Sequence, residues 1–551
     1  MNRTTTILAL AAAVLVARGA AAQEHEHAHH AHAHDAGELG EVHFPITCAE
    51  PVRSAFTRGV ALLHSFGYED AREAFAGVAA EDPECGIAHW GVAMSYYHPL
   101  WAPPSPAELA AGRAAAEQAA KAGAGSDRER GYIAAIGAFY RDAETLDHRS
   151  RALAYGAAMA ELARRFPDDH EAAIFHALTL LGTAPPTDAT FAHQKRAAEI
   201  LNRLLPGEPR HPGIAHYVIH SFDYPELAPL ALDAARAYAG IAPASAHAQH
   251  MPSHIFTRLG LWPDSIASNL ASAAMGRAAA ARRHPGAASF DALHALDYLV
   301  YAYLQIDDEE KARAAMAEGE RARSFDEGNF AAGFALAAMP ARFALERRQW
   351  AEAAALRPPA AELPWERFAY ALAPTHFARA LGAAHGGDLA RARAALADLA
   401  ALEAALAAKP IPGPYDWAGH VAAQRLAAEG WLAHAEGRDE DAIKLLTDAA
   451  ERDEAVGKHP VTPGAILPPR ELLADLLLEL GRPAEALREY EAALRSAPNR
   501  FNGLYGAARA AAAAGDAARA LELYAQLVAQ CDGAPAGRPE LARAREYVAA
   551  M

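Results

Sequence analysis

The chain has 551 residues, 51 Lys and Arg against 68 Asp and Glu, and a net charge of −17. That acidic excess excludes nucleic acid and anionic membrane surfaces as partners, because both are bound through basic patches. Apolar residues make up 52%, much of it Ala, with aromatics at only 8% and as many as 27 histidines; such a balance favours closely packed helices over a β-sandwich.

Residues 1–22 read as a targeting segment. Arg3 supplies a short positive start, residues 7–16 an apolar stretch, and Ala20-Ala21-Ala22 a small-residue cleavage site near Ala22. No later run of about 18 apolar residues would insert in a membrane. The expectation is export to the periplasm or beyond. An oxidising compartment allows a Cys48–Cys85 disulfide with Cys531 left free; three unpaired thiols are the alternative. Residues 23–45 follow as a leader expected to be disordered. It carries His25, His27, His29, His30, His32 and His34 among small and acidic residues. This tract is either a loose chelator of Zn²⁺, Ni²⁺ or Cu²⁺ or a solvated linker.

From residue 46 onward the pattern is one of helical pairs. Gly59, Ala71, Phe75, Val78 and Pro83 open it. At the other end Gly481 and Gly515 stand 34 residues apart, and Ala486, Tyr490 and Ala493 are answered 34 positions later by Ala520, Tyr524 and Leu527. These spacings resemble the tetratricopeptide repeat, with a small residue where two helices touch and a large one filling the gap to the next pair. The implied fold is all-α without a sheet, an α-solenoid of antiparallel helix pairs in a right-handed superhelix. Degenerate pairs fill the middle. Proline-rich breaks at 357–364, 409–414 and 460–469 divide the array into residues 46–356 and 365–551.

Histidines recur within the first part. His64-Ser65-Phe66-Gly67-Tyr68 is nearly repeated as His220-Ser221-Phe222-Asp223-Tyr224. The family resemblance implies that His64, Trp90, His98, His220, Tyr224 and Tyr301 line a concave groove that takes a peptide or protein partner. His216 and His220 share a helix face at i, i+4 and make a metal-ligating pair. His250, His254, His294 and Asp297 on neighbouring helices would complete the sphere around Zn, Cu or Ni. His247 precedes them in the same segment, where Pro252 either kinks a helix or delays its start. Each of these histidines has an equally simple structural role, donating to a backbone carbonyl.

No HExxH, P-loop, GxGxxG or GxSxG motif is present, and no catalytic residue is assigned; Ser253 beside His254 is as readily a local cap as a nucleophile. Leu62-Leu63-His64-Ser65-Phe66, Asp82-Pro83-Glu84-Cys85, Trp90-Gly91, His98-Pro99-Leu100-Trp101 and the 250–256 segment look like those of secreted bacterial tetratricopeptide-repeat proteins of unassigned activity. The sequence therefore supports an exported scaffold that captures a partner, more readily a binding protein than an enzyme. The alternative is a metal-binding or metal-dependent protein using the groove histidines.

Overall fold

The computed structural model describes residues 36–100, 103–185, 188–411, 415–534 and 537–551. The targeting segment, residues 23–35 of the leader and Trp101 lie outside them. Among the described residues regular structure is helical throughout, apart from one isolated bridge between Ala288 and Phe325. None of these helices is long and apolar enough to cross a membrane.

Side-chain caps set where many helices begin. Ser105 and Glu108 form a capping box ahead of Pro106–Ala122. Asp147, Asp169, Ser245, Ser289 and Asn329 each accept a backbone N–H of the helix that follows. Small residues then set how closely the helices of a pair approach. A Cβ on Gly59 would stand 2.7 Å from the Phe75 ring, and one on Gly430 would stand 2.7 Å from Leu446. This close contact is what the repeated Gly positions are for, and the high Ala content extends it along the array.

Among the described residues the apolar interior falls into two large bodies, with two small clusters around Trp262 and Ala273. One large body runs from Leu39 to Phe256 and the other from Leu293 to Ala544. Residues 357–364, where prolines suggested the end of the first array, bury Ala361 and Leu363 inside the second body. Helix Trp262–Arg283 lies at the junction instead. Residues 36–45 belong to the folded body rather than to a loose leader: Leu39 and Phe44 are buried, and Phe44 packs on Phe56, Trp90 and Tyr132. A disulfide joins Cys48 to Cys85 just beside them, while Cys531 is a buried thiol.

The array also curls back on itself. The Trp262 indole N–H donates to the Asn499 carbonyl at 2.8 Å, and the Asn499 amide donates to the Gly260 carbonyl at 3.2 Å. Next to this seam Arg500, wholly buried, pairs with Glu346 at 2.8 Å and Glu471 at 2.9 Å. The loop after helix Asp439–Val456 reaches across to the first body, where the buried Lys458 Nζ meets the Asp223 carboxylate at 2.8 Å.

Candidate metal centre

Two clusters of histidines occupy the region where the bodies meet. The first begins on helix Pro212–Phe222, where Pro212 sits at the first helical position and needs no N–H partner. His216 and His220, one turn apart, bring their Nε2 atoms to 3.1 Å. His247, from helix Ala246–His250, places its Nε2 3.0 Å from that of His216. The His216 Nδ1 is 2.6 Å from the His64 carbonyl oxygen. A carbonyl only accepts, so Nδ1 carries the hydrogen and Nε2 presents a bare lone pair. The Phe66 ring covers all three imidazoles, with centroids at 4.4, 5.7 and 5.3 Å from His216, His220 and His247. Phe66 holds a left-handed backbone (φ 55°) to do so, a conformation uncommon outside glycine.

The second cluster depends on Pro252. Lacking an N–H, Pro252 interrupts the helical ladder, so Ala246–His250 and Pro252–Arg258 are two segments. Met251 between them nevertheless keeps helical angles (φ −53°, ψ −35°), and the chain runs on in nearly the same direction. His250 and His254 therefore still meet, their Nε2 atoms 3.0 Å apart. Both Nδ1 atoms are engaged. That of His250 is 2.7 Å from Asn269 Oδ1, and the Asn269 amide nitrogen donates to the Ser265 carbonyl at 2.8 Å, which fixes the oxygen toward His250. That of His254 is 3.0 Å from Asp223 Oδ2. Each Nδ1 must then carry the hydrogen, and two lone pairs face one another across 3.0 Å. His294, on helix Phe290–Gln305, completes this group with its ring 4.2 Å from that of His250. Its neighbour Tyr298 donates to the Thr462 carbonyl at 3.1 Å, which ties the loop after residue 457 over the cluster.

Burial disfavours a proton shared between these nitrogens. Burial holds His216, His220, His247, His250 and His294 well below the usual imidazole range, and their neighbours' positive charge depresses them further. Burial lowers His254 too, against the pull of Asp223. For Asp223 burial acts in the opposite sense, yet Lys458, Arg258 and His254 outweigh it and keep the carboxylate ionised. Burial brings Lys458 down to about 8. The centre is thus six imidazoles shifted toward the neutral form, with one carboxylate behind them already answered by two cations.

Facing lone pairs suit a metal ion. Imidazole nitrogens bound at about 2.0–2.1 Å stand roughly 3–3.4 Å from each other around one ion, the spacing seen within both groups. In each group of three, all the ligand atoms lie within 4.8 Å of one another. Rings of the two groups flank each other, His220 and His254 at 6.5 Å and His247 and His250 at 6.5 Å between centroids. The backing of Nδ1 atoms by a carbonyl, an amide and a carboxylate is how ligating histidines are held in orientation. Two other groups are of a different kind. Glu171 takes His64 at 2.8 Å and His211 at 2.9 Å in a buried network, and Cys48 and Cys85 are consumed by their disulfide.

The tetratricopeptide repeat family matches residues 472–535. Those residues are similar to tetratricopeptide repeats. They comprise the pairs Pro469–Glu479 with Pro483–Ser496 and Phe501–Ala513 with Ala517–Gln530. No curated protein sequence matches the chain. Among solved structures it is similar to the Cut9–Hcn1 hetero-tetramer of the APC/C, at 12% identity over 91% of this chain and 95% of that one, with a TM-score of 0.31. It is similar to a monomeric mutant of IFIT1 with Gppp-AAAA, at 12% over 92% and 98%, TM-score 0.34. A third is yeast Tom70, at 10% over 91% and 95%, TM-score 0.25. Scores this low carry no inference about shape or function.

Of the metal candidates from the sequence, the helical array brings His216, His220, His250, His254 and His294 together and adds His247. Asp297 turns away: its carboxylate is 3.6 Å from Arg342, and burial raises it to about 6 against the pull of that arginine. Of the groove candidates, His64 gives its carbonyl to His216 and its ring to Glu171 and Tyr217. Trp90 is in the interior with Phe44, Phe56 and Phe75. Tyr301 is buried beneath Arg342 and accepts from Arg500 at 2.8 Å. The half-buried His98 lies against Tyr68, and Tyr224 against Phe191. Ser253 is buried, 3.4 Å from Asn269. The sequence reading missed Phe66, Asp223 and Asn269 as supporting residues, though the first two stand in the duplicated segment. Nothing in the sequence pointed to Lys458.

Proposed function

We propose that the chain is an exported metalloprotein whose two histidine triads each hold one transition-metal ion within a tetratricopeptide-type scaffold. The observation that carries this is the facing of the His250 and His254 Nε2 lone pairs at 3.0 Å, with both Nδ1 positions committed elsewhere. Such a pair is repulsive unless a cation stands between its members. All-imidazole donors suit Zn, Cu, Fe or Ni, whereas Mg²⁺ and Ca²⁺ take oxygen ligands. Export is supported by the character of residues 1–22 and by the Cys48–Cys85 bridge, which belongs in an oxidising compartment. The tetratricopeptide fold itself suggests a protein–protein interaction scaffold, so residues 472–535 are the natural surface for a protein or peptide partner.

The test is metal analysis of the full chain, made without an affinity tag and with the six leader histidines (His25, His27, His29, His30, His32, His34) changed to Ser. About two ions per chain are expected. A His250→Ala/His254→Ala variant that retains its helical circular dichroism should keep about one. A parent protein that retains no ion after exposure to Zn²⁺, Cu²⁺ or Cu⁺ overturns the proposal.

A further inference from the structure

We infer that the two triads form one dinuclear copper centre that takes up dioxygen as peroxide. This rests on the reading of the triads as metal sites and goes on to the identity and chemistry of the ions.

The argument begins with charge. Both triads are built of histidines alone. Asp223, behind His254, is already answered by Lys458 at 2.8 Å and Arg258 at 2.9 Å. Asp297, on the next turn of the His294 helix, is answered by Arg342. Two divalent ions would therefore bring four positive charges beside two carboxylates, Asp223 and Asp297, that already have cationic partners. The cost of burying an ion grows with the square of its charge. Two Cu⁺ ions halve the added charge, and imidazole is among the donors that suit copper.

Dioxygen fits the same arithmetic. Each Cu⁺ gives up one electron and becomes Cu²⁺, and the two electrons reduce O₂ to O₂²⁻, leaving a single O–O bond. The total charge of the centre is the same before and after, and neither a proton nor an outside reductant is consumed. The shape of the site agrees. Rings of opposite triads stand 6.5 Å apart at two places, so the triads adjoin one another. One small molecule bridges metal ions when they are about 3.5–4 Å apart. His220 and His247 are half-buried whereas the rest of the centre is buried, so the first triad is the side from which a small molecule enters, past Phe66.

The experiment uses the full chain with the leader histidines changed to Ser, loaded anaerobically with Cu⁺ and then exposed to oxygen. Expected are uptake of one O₂ for every two coppers, an intense near-ultraviolet peroxide-to-copper absorption, and no electron paramagnetic resonance signal, because the Cu²⁺ pair is coupled. His247→Ala should keep the copper of the second triad, lose the uptake and the absorption, and develop the signal of an isolated Cu²⁺ on standing. Asp297→Asn, outside both triads, should behave as the parent. Two coppers bound with no oxygen uptake, or with an isolated Cu²⁺ signal, overturns the dioxygen inference and leaves the metal reading standing. Failure to retain any copper overturns the inference itself, and failure to retain zinc as well overturns both.

Discussion

His254 donates its Nδ1–H to Asp223 at 3.0 Å, and the same carboxylate gathers Arg258 from its own body and Lys458 from the other. One buried acid thus orients a ligand and latches the loop above it. Asp223→Asn leaves Lys458 a buried cation without its partner, a change that typically costs about 3–5 kcal/mol. Lys458→Met leaves Asp223 still paired to Arg258 and should cost less, about 1–3 kcal/mol. Urea denaturation of the two variants gives the order directly; equal midpoints would refute it.

Acid should destabilise the metal-free protein steeply. The buried His216, His250 and His294 are held well below 6.5 by burial, so the folded chain binds fewer protons than the unfolded chain below that pH. Stability is therefore present above pH 6.5 and lost as the pH falls through it. The loss approaches about 1.4 kcal/mol per pH unit for each such histidine. Urea midpoints at pH 7.5, 6.5 and 5.5 measure this, and a flat profile would contradict it. Bound metal should be released over the same interval, since protons compete for the same lone pairs.

The two residues on which sequence and structure part company separate cleanly. His247→Ala should remove about one ion per chain, because it takes a donor from the first triad. Asp297→Asn should leave metal content unchanged, since its carboxylate serves Arg342. Metal lost on changing Asp297 but kept on changing His247 would restore the ligand set first read from the sequence.

The Cys48–Cys85 bridge closes a loop with a sequence separation of 37. Chain-entropy reasoning gives it about 4 kcal/mol, and native bridges usually contribute about 2–5 kcal/mol. Cys48→Ser/Cys85→Ser should accordingly lower the guanidinium midpoint of the first body. The clip pins residues 39–48, so the variant should also expose Phe44 to proteolysis at the chain start. An unchanged midpoint would count against it.

Periodicity made the helical pairs legible because small residues must recur where helices touch, as Gly59 and Gly430 do. It also placed His216 beside His220, since i, i+4 fixes a shared face whatever the surroundings. Around Pro252 the frame was ambiguous: a missing N–H can mean either a late start or a kink, and only the helical angles at Met251 decide. Asp297 was misleading for a different reason. It is three positions from His294, near enough in sequence to share its task, but a buried carboxylate goes to the nearest guanidinium, and Arg342 comes from another helix. Lys458 was invisible, being separated from Asp223 by 235 residues in a proline-rich loop. Local pattern carries no information about such a meeting.

The seam between Trp262 and Asn499 joins residues 237 positions apart. A stack whose units touch only their immediate neighbours frays from its ends, each pair melting nearly independently. Here far-reaching contacts, among them this seam, the Asp223–Lys458 pair and the Arg500–Tyr301 bond, tie distant units into a closed circuit. Loss of one terminal unit should then be felt at residues far along the chain, so the helical array should unfold more cooperatively than a stack held by neighbour contacts alone.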